Sequence, residues 1–250
     1  MMGGHHAVSG AAAWLAITTN VNLGSVNLGF GLFEMTRWET LAGAIICAGA
    51  AMLPDADHHS ATIARSLPPV SNLVTRMISA VSGGHRNGTH SLLGILGFAL
   101  FAWIVDKWAV ATESWGVVYP GAAVFAVLLI SFAVKTMKFM PAILCWIIAV
   151  AGAGFVGMNA PDERSWFFLA VLLGAAVHIL GDMLTVGGVN WLWPIKIRAP
   201  RWFRKLPVIG GSWKANGRVA IPVLGATGSN AEWVLASALT SYVVVALLVA

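Results

Sequence analysis

Charge is what this sequence has least of. Only 10% of its 250 residues are Asp, Glu, Lys or Arg, while 58% are hydrophobic. Soluble domains carry about 25% charged residues, so a water-soluble globule is excluded. Cysteine is almost absent too. Cys47 and Cys145 permit one bridge at most and lack metal-ligand spacing, so both read as small apolar core residues. Acid is missing altogether between Lys196 and Arg218, where seven of the fifteen basic residues fall. The net charge of +5 is therefore concentrated, not spread. Such a run beside apolar segments is a topology signal and a contact for anionic membrane lipids, and it argues against nucleic acid as a partner. The N-terminal stretch lacks the basic region and small-residue cleavage site of a signal peptide, so the first helix is expected to be retained. With no internal repeat, low-complexity tract or linker, one membrane-embedded domain over 1–250 is expected.

Long apolar runs fill the space that charge leaves. Seven helical segments are read at about 7–19, 39–53, 91–111, 117–134, 140–158, 166–185 and 232–249, several approaching the roughly 20 residues that cross a bilayer. The fold class is all-α, a polytopic transmembrane bundle of five to seven membrane segments, the first two short enough to be half-buried. Basic residues orient it. Lys196–Arg218, Lys135 with Lys138, and the stretch 54–90 with Arg65, Arg76 and Arg86 are expected inside. The turn around Glu113 and the loop with Asp162, Glu163 and Arg164 are expected outside.

Against this apolar background a few polar groups stand out. Ionisable residues within membrane segments are rare and default to a functional role. "HILGD" puts His178 and Asp182 four apart, one helical turn, on one face. They can hold one metal ion or simply bond one another between helices. "PDADHH" offers Asp55, Asp57, His58 and His59 after a proline, either as oxygen and imidazole ligands or as an ordinary helix-ending loop. "GGHRNGTHSLLG" places His85 and His90 around a glycine-rich turn, with Thr89 or Ser91 available as a helix cap. A neutral ring suits His90 at a helix start. Arg86 between them is either a phosphate fork or a positive-inside anchor. "GGHHAVSG" adds His5 and His6, with His6 the stronger candidate. The predicted topology brings all these groups to one membrane face, and that concentration points to a metal site.

Three further features carry less. Glu34 and Glu39 receive no chemistry. Ser229 and Glu232 form the S-x-x-E signature of a helix start. Trp191, Trp193, Trp202 and Trp213 read as an interfacial belt.

The blocks "LPDADH", "GHRNGTHSLL" and "HILGDMLTVGGVNWLWP", in this order, resemble the LexA-regulated inner-membrane family of predicted metal-dependent hydrolases. "HAVSG" and "TGSNAEWVL" are similar to that family's opening and tail motifs, so the likeness covers nearly the whole chain. More distantly it resembles the zinc-dependent phospholipase C and single-strand nuclease superfamily. The resemblance implies metal ligation by His6, Asp55, His58, His85, His90, His178 and Asp182, with Asp57 a ligand or an orienting partner. One H-x-x-x-D pair is present, and Gly94 stands where a second acid would fall. That implies one or two ions, zinc first, with manganese or iron as alternatives. The expected activity is hydrolysis of a phosphoester in a lipid or lipid-linked substrate at the cytoplasmic face, with Asp55, Asp57 and Arg86 as the catalytic groups. The alternatives are an ion or solute transporter and a catalytically silent scaffold whose metal staples helices.

Overall fold

The computed structural model describes residues 1–66, 69–159 and 165–249. The expected outer loop of Asp162, Glu163 and Arg164 lies outside the described residues. Eight α-helices account for most of the rest: α1 Gly3–Thr18, α2 Arg37–Ala50, α3 Val70–Ser82, α4 Leu92–Asp106, α5 Pro120–Met137, α6 Ala142–Asn159, α7 Trp166–Met183 and α8 Asn230–Val249. Seven coincide with the apolar segments read from the sequence. Five stretches are long and apolar enough to cross a membrane: Arg37–Asp57, Pro120–Met137, Ala142–Asn159, Trp166–Met183 and Asn230–Val249. Leu92–Asp106 is a shorter apolar helix. The protein is a polytopic helical bundle.

α2 is the axis, packed against α1, α5 and α7. Its sequence "AGAIICAGA" explains why, because small residues let backbones approach closely. A Cβ at Gly49 would overlap the Leu129 carbonyl of α5, and one at Gly174 of α7 would overlap the Cys47 carbonyl of α2. The α1–α2 contact is fixed further along, where Trp14 Nε1 donates to the Thr40 carbonyl at 3.0 Å. Cys47 and Cys145 are buried and unbridged.

Helix ends follow from local chemistry. Thr36 and Glu39 make a reciprocal capping box at the start of α2: Glu39 N donates to Thr36 Oγ1 at 3.3 Å, and Thr36 N to Glu39 Oε2 at 2.5 Å. Ser91 caps α4 by accepting from Gly94 N at 3.2 Å. Two short hairpins, β1 Asn22–Leu23 with β2 Val26–Asn27 and β3 Val110–Thr112 with β4 Gly116–Val118, turn the chain at one end of the bundle. At the other end lie the N-terminus of α1, the turn after α2, the start of α4 and the C-terminus of α7.

The helix that sequence reading left out is α3. It lies within the stretch 54–90 expected inside, and its 13 residues are too few to span. Val70, Leu73, Val74, Met77 and Val81 recur at three- and four-residue intervals and are exposed. Such a helix lies in an interface instead of crossing it. Residues 184–229 are irregular apart from the 3-10 turn Phe203–Lys205; isolated bridges such as Val189 with Val219 tie the segment to itself, and Arg218 joins it to the site end at the His85 carbonyl.

Candidate metal centre

Four chain segments build the centre. Proline and two aspartates close α2 in a 3-10 turn, Leu53–Asp57, which supplies Asp55 and Asp57. The glycine-rich turn ahead of α4 supplies His85 and His90, the latter in a second 3-10 turn, Gly88–His90. The C-terminal turns of α7 supply His178 and Asp182, and the first turn of α1 supplies His6. Two groups of metal-ligand type result: Asp55, Asp57, His85 and His90, and beside them His6, His178 and Asp182.

The groups adjoin at two imidazoles. His90 Nε2 and His178 Nε2 are 3.1 Å apart. Asp55 Oδ1 lies 3.7 Å from each of them. Asp182 Oδ2 lies 3.5 Å from His90 Nε2 and 3.9 Å from His178 Nε2. The His6 and His178 rings stack with centroids 3.7 Å apart.

Hydrogen bonds from behind fix the tautomers. His178 Nδ1 donates to the Ala51 carbonyl at 2.6 Å, which leaves Nε2 as a lone pair. Thr89 donates its hydroxyl to Asp57 Oδ2 at 2.5 Å, so His90 Nδ1, 3.1 Å from Thr89 Oγ1 and 3.4 Å from Asp57 Oδ2, is the donor to them. His85 Nδ1 donates to Asp57 Oδ1 at 2.9 Å. Asp57 thus stands behind two imidazoles, as an orienting carboxylate. Three rings present Nε2 forward in consequence. Two lone pairs 3.1 Å apart repel unless a proton or a cation lies against them. His90 keeps a proton: burial would lower its pKa, but the Asp55 and Asp57 carboxylates raise it to about 9.

A divalent cation fits the same demand. Imidazole nitrogens with carboxylate oxygens are the donors of zinc, manganese and iron sites. The ring nitrogens of His6 are buried without a well-aligned hydrogen bond, Nε2 having only the Asp182 carboxylate 3.3 Å away, which a buried polar group tolerates poorly. His90 and His178 have no exposed side-chain surface, whereas His85 is 35% and Asp55 19% exposed, so solvent reaches the centre from their side.

Three expectations need correction or refinement. His58 joins neither ligand group. The 3-10 turn ends at that residue in extended backbone, and Ser60 occupies its Nδ1, with Oγ at 2.8 Å. Its ring instead meets His85 edge-on at 4.6 Å. Burial and then the neighbouring His85 lower the His58 pKa. Arg86 is not a free fork: Nη2 donates to Asp182 Oδ1 at 2.9 Å and Nη1 to Thr185 Oγ1 at 3.2 Å. Glu232 does more than start α8. Ser229 Oγ accepts from Glu232 N at 3.2 Å, yet the carboxylate turns away to Gly228 N at 2.9 Å, Met2 N at 2.6 Å and His5 Nδ1 at 2.6 Å. That clamp holds the first turn of α1, and so His6, against the bundle. Its only sequence signals were the S-x-x-E spacing and the neighbouring histidines.

A family model described as YdjM inner membrane protein matches residues 1–250. The chain belongs to the YdjM inner membrane protein family. Inner membrane protein YdjM of Escherichia coli (strain K12) is 28% identical over 172 residues, which cover 69% of this chain and 55% of the relative. Inner membrane protein YdjM of Shigella flexneri matches with the same identity and coverage. The chain's match therefore spans about half the length of these curated relatives. No solved structure matches. Membership in an inner-membrane family agrees with the five helices long and apolar enough to span in this YdjM relative.

Proposed function

We propose that this protein is a metal-dependent hydrolase of a phosphoester in a lipid or lipid-linked substrate, working at the cytoplasmic face of the inner membrane with one or two divalent ions, zinc first. The observation that carries the proposal is the convergence of His90 and His178 Nε2, 3.1 Å apart, with Asp55 Oδ1 3.7 Å from each, in a chain with so few ionisable residues. Basic residues support the cytoplasmic side: Lys135, Arg86, Lys214 and Arg218 make their contacts at the end that carries the centre. A transporter site is expected near the bilayer midplane, in broken helices. These ligands gather instead at the ends of α1, α2, α4 and α7.

The residues divide the work. His6, His85, His90, His178, Asp55 and Asp182 would hold the ions. A bound ion of this kind lowers the pKa of water and polarises a phosphoryl oxygen. Asp55, the carboxylate that reaches solvent, accepts the proton of the attacking water. Asp57 holds His85 and His90 in the ligating tautomer, and Thr89 completes that support. Arg86 fixes Asp182.

The test is hydrolysis of phospholipids and polyprenyl phosphates in detergent, with chelator and with zinc or manganese restored. Asp55→Asn should lower turnover by at least the roughly hundredfold typical of one acid–base group. Thr62→Ala, whose hydroxyl meets Thr136 at 3.1 Å away from the ligands, should be nearly silent. No chelator-sensitive hydrolysis of any ester, or equal activity in Asp55→Asn, rejects the proposal in favour of a metal-stapled scaffold.

A further inference from the structure

Two features flank the metal centre and neither is used by the chemistry above. One is a knot of cations. Arg218, read from the sequence as part of a topology signal, folds back so that Nη2 donates to the His85 carbonyl at 2.7 Å. Lys214 Nζ donates to the Gly187 carbonyl at 3.3 Å and to that of Val186. Arg86 lies across the same Gly187, where an added Cβ would overlap its Nη1. Among the described residues Arg86 alone of the three has a carboxylate in ion-pair contact, Asp182 at 2.9 Å; Lys214 and Arg218 bond backbone carbonyls. Burial, and then the neighbouring cations, lower the pKa of both. Like charges held together by fixed carbonyls form a receptor for an anion.

The other feature is an open apolar groove of about 470 Å3 between α3 and α4. Met77, Ile78, Val81, Leu93, Phe98 and Trp193 wall it. It lies between the exposed apolar row of α3 and the exposed Leu93, Leu96 and Leu100 of α4, the surfaces that face lipid. Its inner end is formed by Gly88 and Thr89, and Thr89 is the residue that donates to Asp57. Trp193 closes it over Gly83, three residues before Arg86. The Gly83–His90 turn thus adjoins both features: Gly88 and Thr89 line the groove, and His85 and Arg86 meet the cations.

We infer that the protein binds a long-chain lipid phosphate, its alkyl chain in the α3–α4 groove and its phosphate on Arg218 and Lys214 beside Arg86. This names the substrate class for the reading above and rests on it for catalysis, though not for binding. The chain would enter sideways from the bilayer, since the groove is open along helices that face it. A headgroup held by Arg218 then lies beside His85, whose carbonyl Arg218 bonds and whose side chain is part of the exposed edge of the centre. A soluble phosphate would use the cations and gain nothing from the groove. Competition between the two separates them.

The experiment measures binding, so it stands whether or not turnover is found. Full-length protein in phosphatidylcholine nanodiscs is titrated with radiolabelled hexadecyl phosphate, with butyl phosphate and inorganic phosphate as competitors. Hexadecyl phosphate should bind at least tenfold more tightly than butyl phosphate, by burial of the longer chain. Gly97 of α4 lines the groove, and an added Cβ there has no atom within 4 Å, so Gly97→Phe places a ring in the groove from a position with room for its Cβ. It should weaken hexadecyl phosphate about tenfold and leave butyl phosphate unchanged. Val81→Trp, at a wall position 79% exposed, should do the same and stands in if Gly97→Phe does not fold. Arg218→Gln should weaken both esters about tenfold, with Arg218→Lys recovering part of the loss. If both groove variants bind hexadecyl phosphate as the unmodified protein does, or if butyl phosphate competes as well as unlabelled hexadecyl phosphate does, the groove assignment is overturned. Unchanged affinity in Arg218→Gln overturns the headgroup assignment. Binding with the expected pattern but no hydrolysis would remove the enzymatic reading and keep this one.

Discussion

His90 and His178 are 88 residues apart in sequence, and their Nε2 atoms are 3.1 Å apart in the fold. Each ring is held from behind, His178 by the Ala51 carbonyl at 2.6 Å and His90 by the Thr89 hydroxyl at 3.1 Å, backed by Asp57. Neither ring can turn away without losing a buried hydrogen bond, which costs about 1–3 kcal/mol. The pair is preorganised for a shared positive charge, and the predictions below follow from that relationship.

Metal content is the first. Protein purified in detergent without added metal should carry at least one divalent transition ion per chain by elemental analysis. His178→Ala and Asp182→Ala should each lower the content. Full occupancy in both variants would take the α7 pair out of the coordination sphere.

His58 and His85 should part company. His58→Ala leaves both ligand groups whole and should keep the metal content of the unmodified protein. His85→Ala removes a group member and should reduce it. Thr89→Val, which strips Asp57 and His90 of their shared hydroxyl, should weaken metal binding about 10–100-fold, as loss of supporting bonds around ligands does.

Acid should favour the metal-free form. The neighbouring carboxylates raise the His90 pKa to about 9, so at neutral pH this ring is protonated when no cation is present and must release that proton to ligate. Metal affinity should therefore rise about tenfold per pH unit from pH 6 to 8 and level off near 9, as followed by competition with a chromogenic chelator. A flat profile would show that His90 does not ligate. The sign reverses for the proton's own contribution to folding: a raised pKa stabilises the metal-free fold below the unfolded value and loses that effect as pH climbs through 9.

The bundle itself should be intolerant at its axis. Gly49→Val would drive a side chain into the Leu129 carbonyl of α5, a backbone atom that cannot rotate aside. Destabilisation should exceed the roughly 1–3 kcal/mol of ordinary overpacking, because the helices themselves must separate. The measurement is the thermal aggregation temperature in detergent, with Gly154→Ala of α6 as the control, since a Cβ there meets nothing within 4 Å.

Sidedness is open to direct measurement. Reporters fused within 60–80 and within 196–218 should both read cytoplasmic, and one near Glu113 external. Opposite readings for the first two would separate segments that the fold brings together through Arg218 and His85.

The sequence by itself determined the membrane bundle. Ten per cent charge and long unbroken apolar runs, unlike the alternating pattern of a barrel, call for helices in lipid, and seven of the eight described helices follow from hydropathy alone. It also singled out His5, His6, Asp55, Asp57, His58, His59, His85, His90, His178 and Asp182, because imidazoles and carboxylates are costly in such surroundings. α3 escaped because its apolar row is one face of an interfacial helix, too sparse for a hydropathy reading. Only the tertiary structure decided which of these groups come together. Asp57 supports His85 and His90 from behind, His58 turns to Ser60, and Arg86 is taken up by Asp182. Spacing along a chain cannot report such outcomes, since each depends on where a tautomer finds its acceptor. The cation knot was equally hidden. Lys214 and Arg218 looked like a membrane-facing run until the loop after α7 folded back on the His85 carbonyl, a contact between residues 133 positions apart that no local pattern encodes.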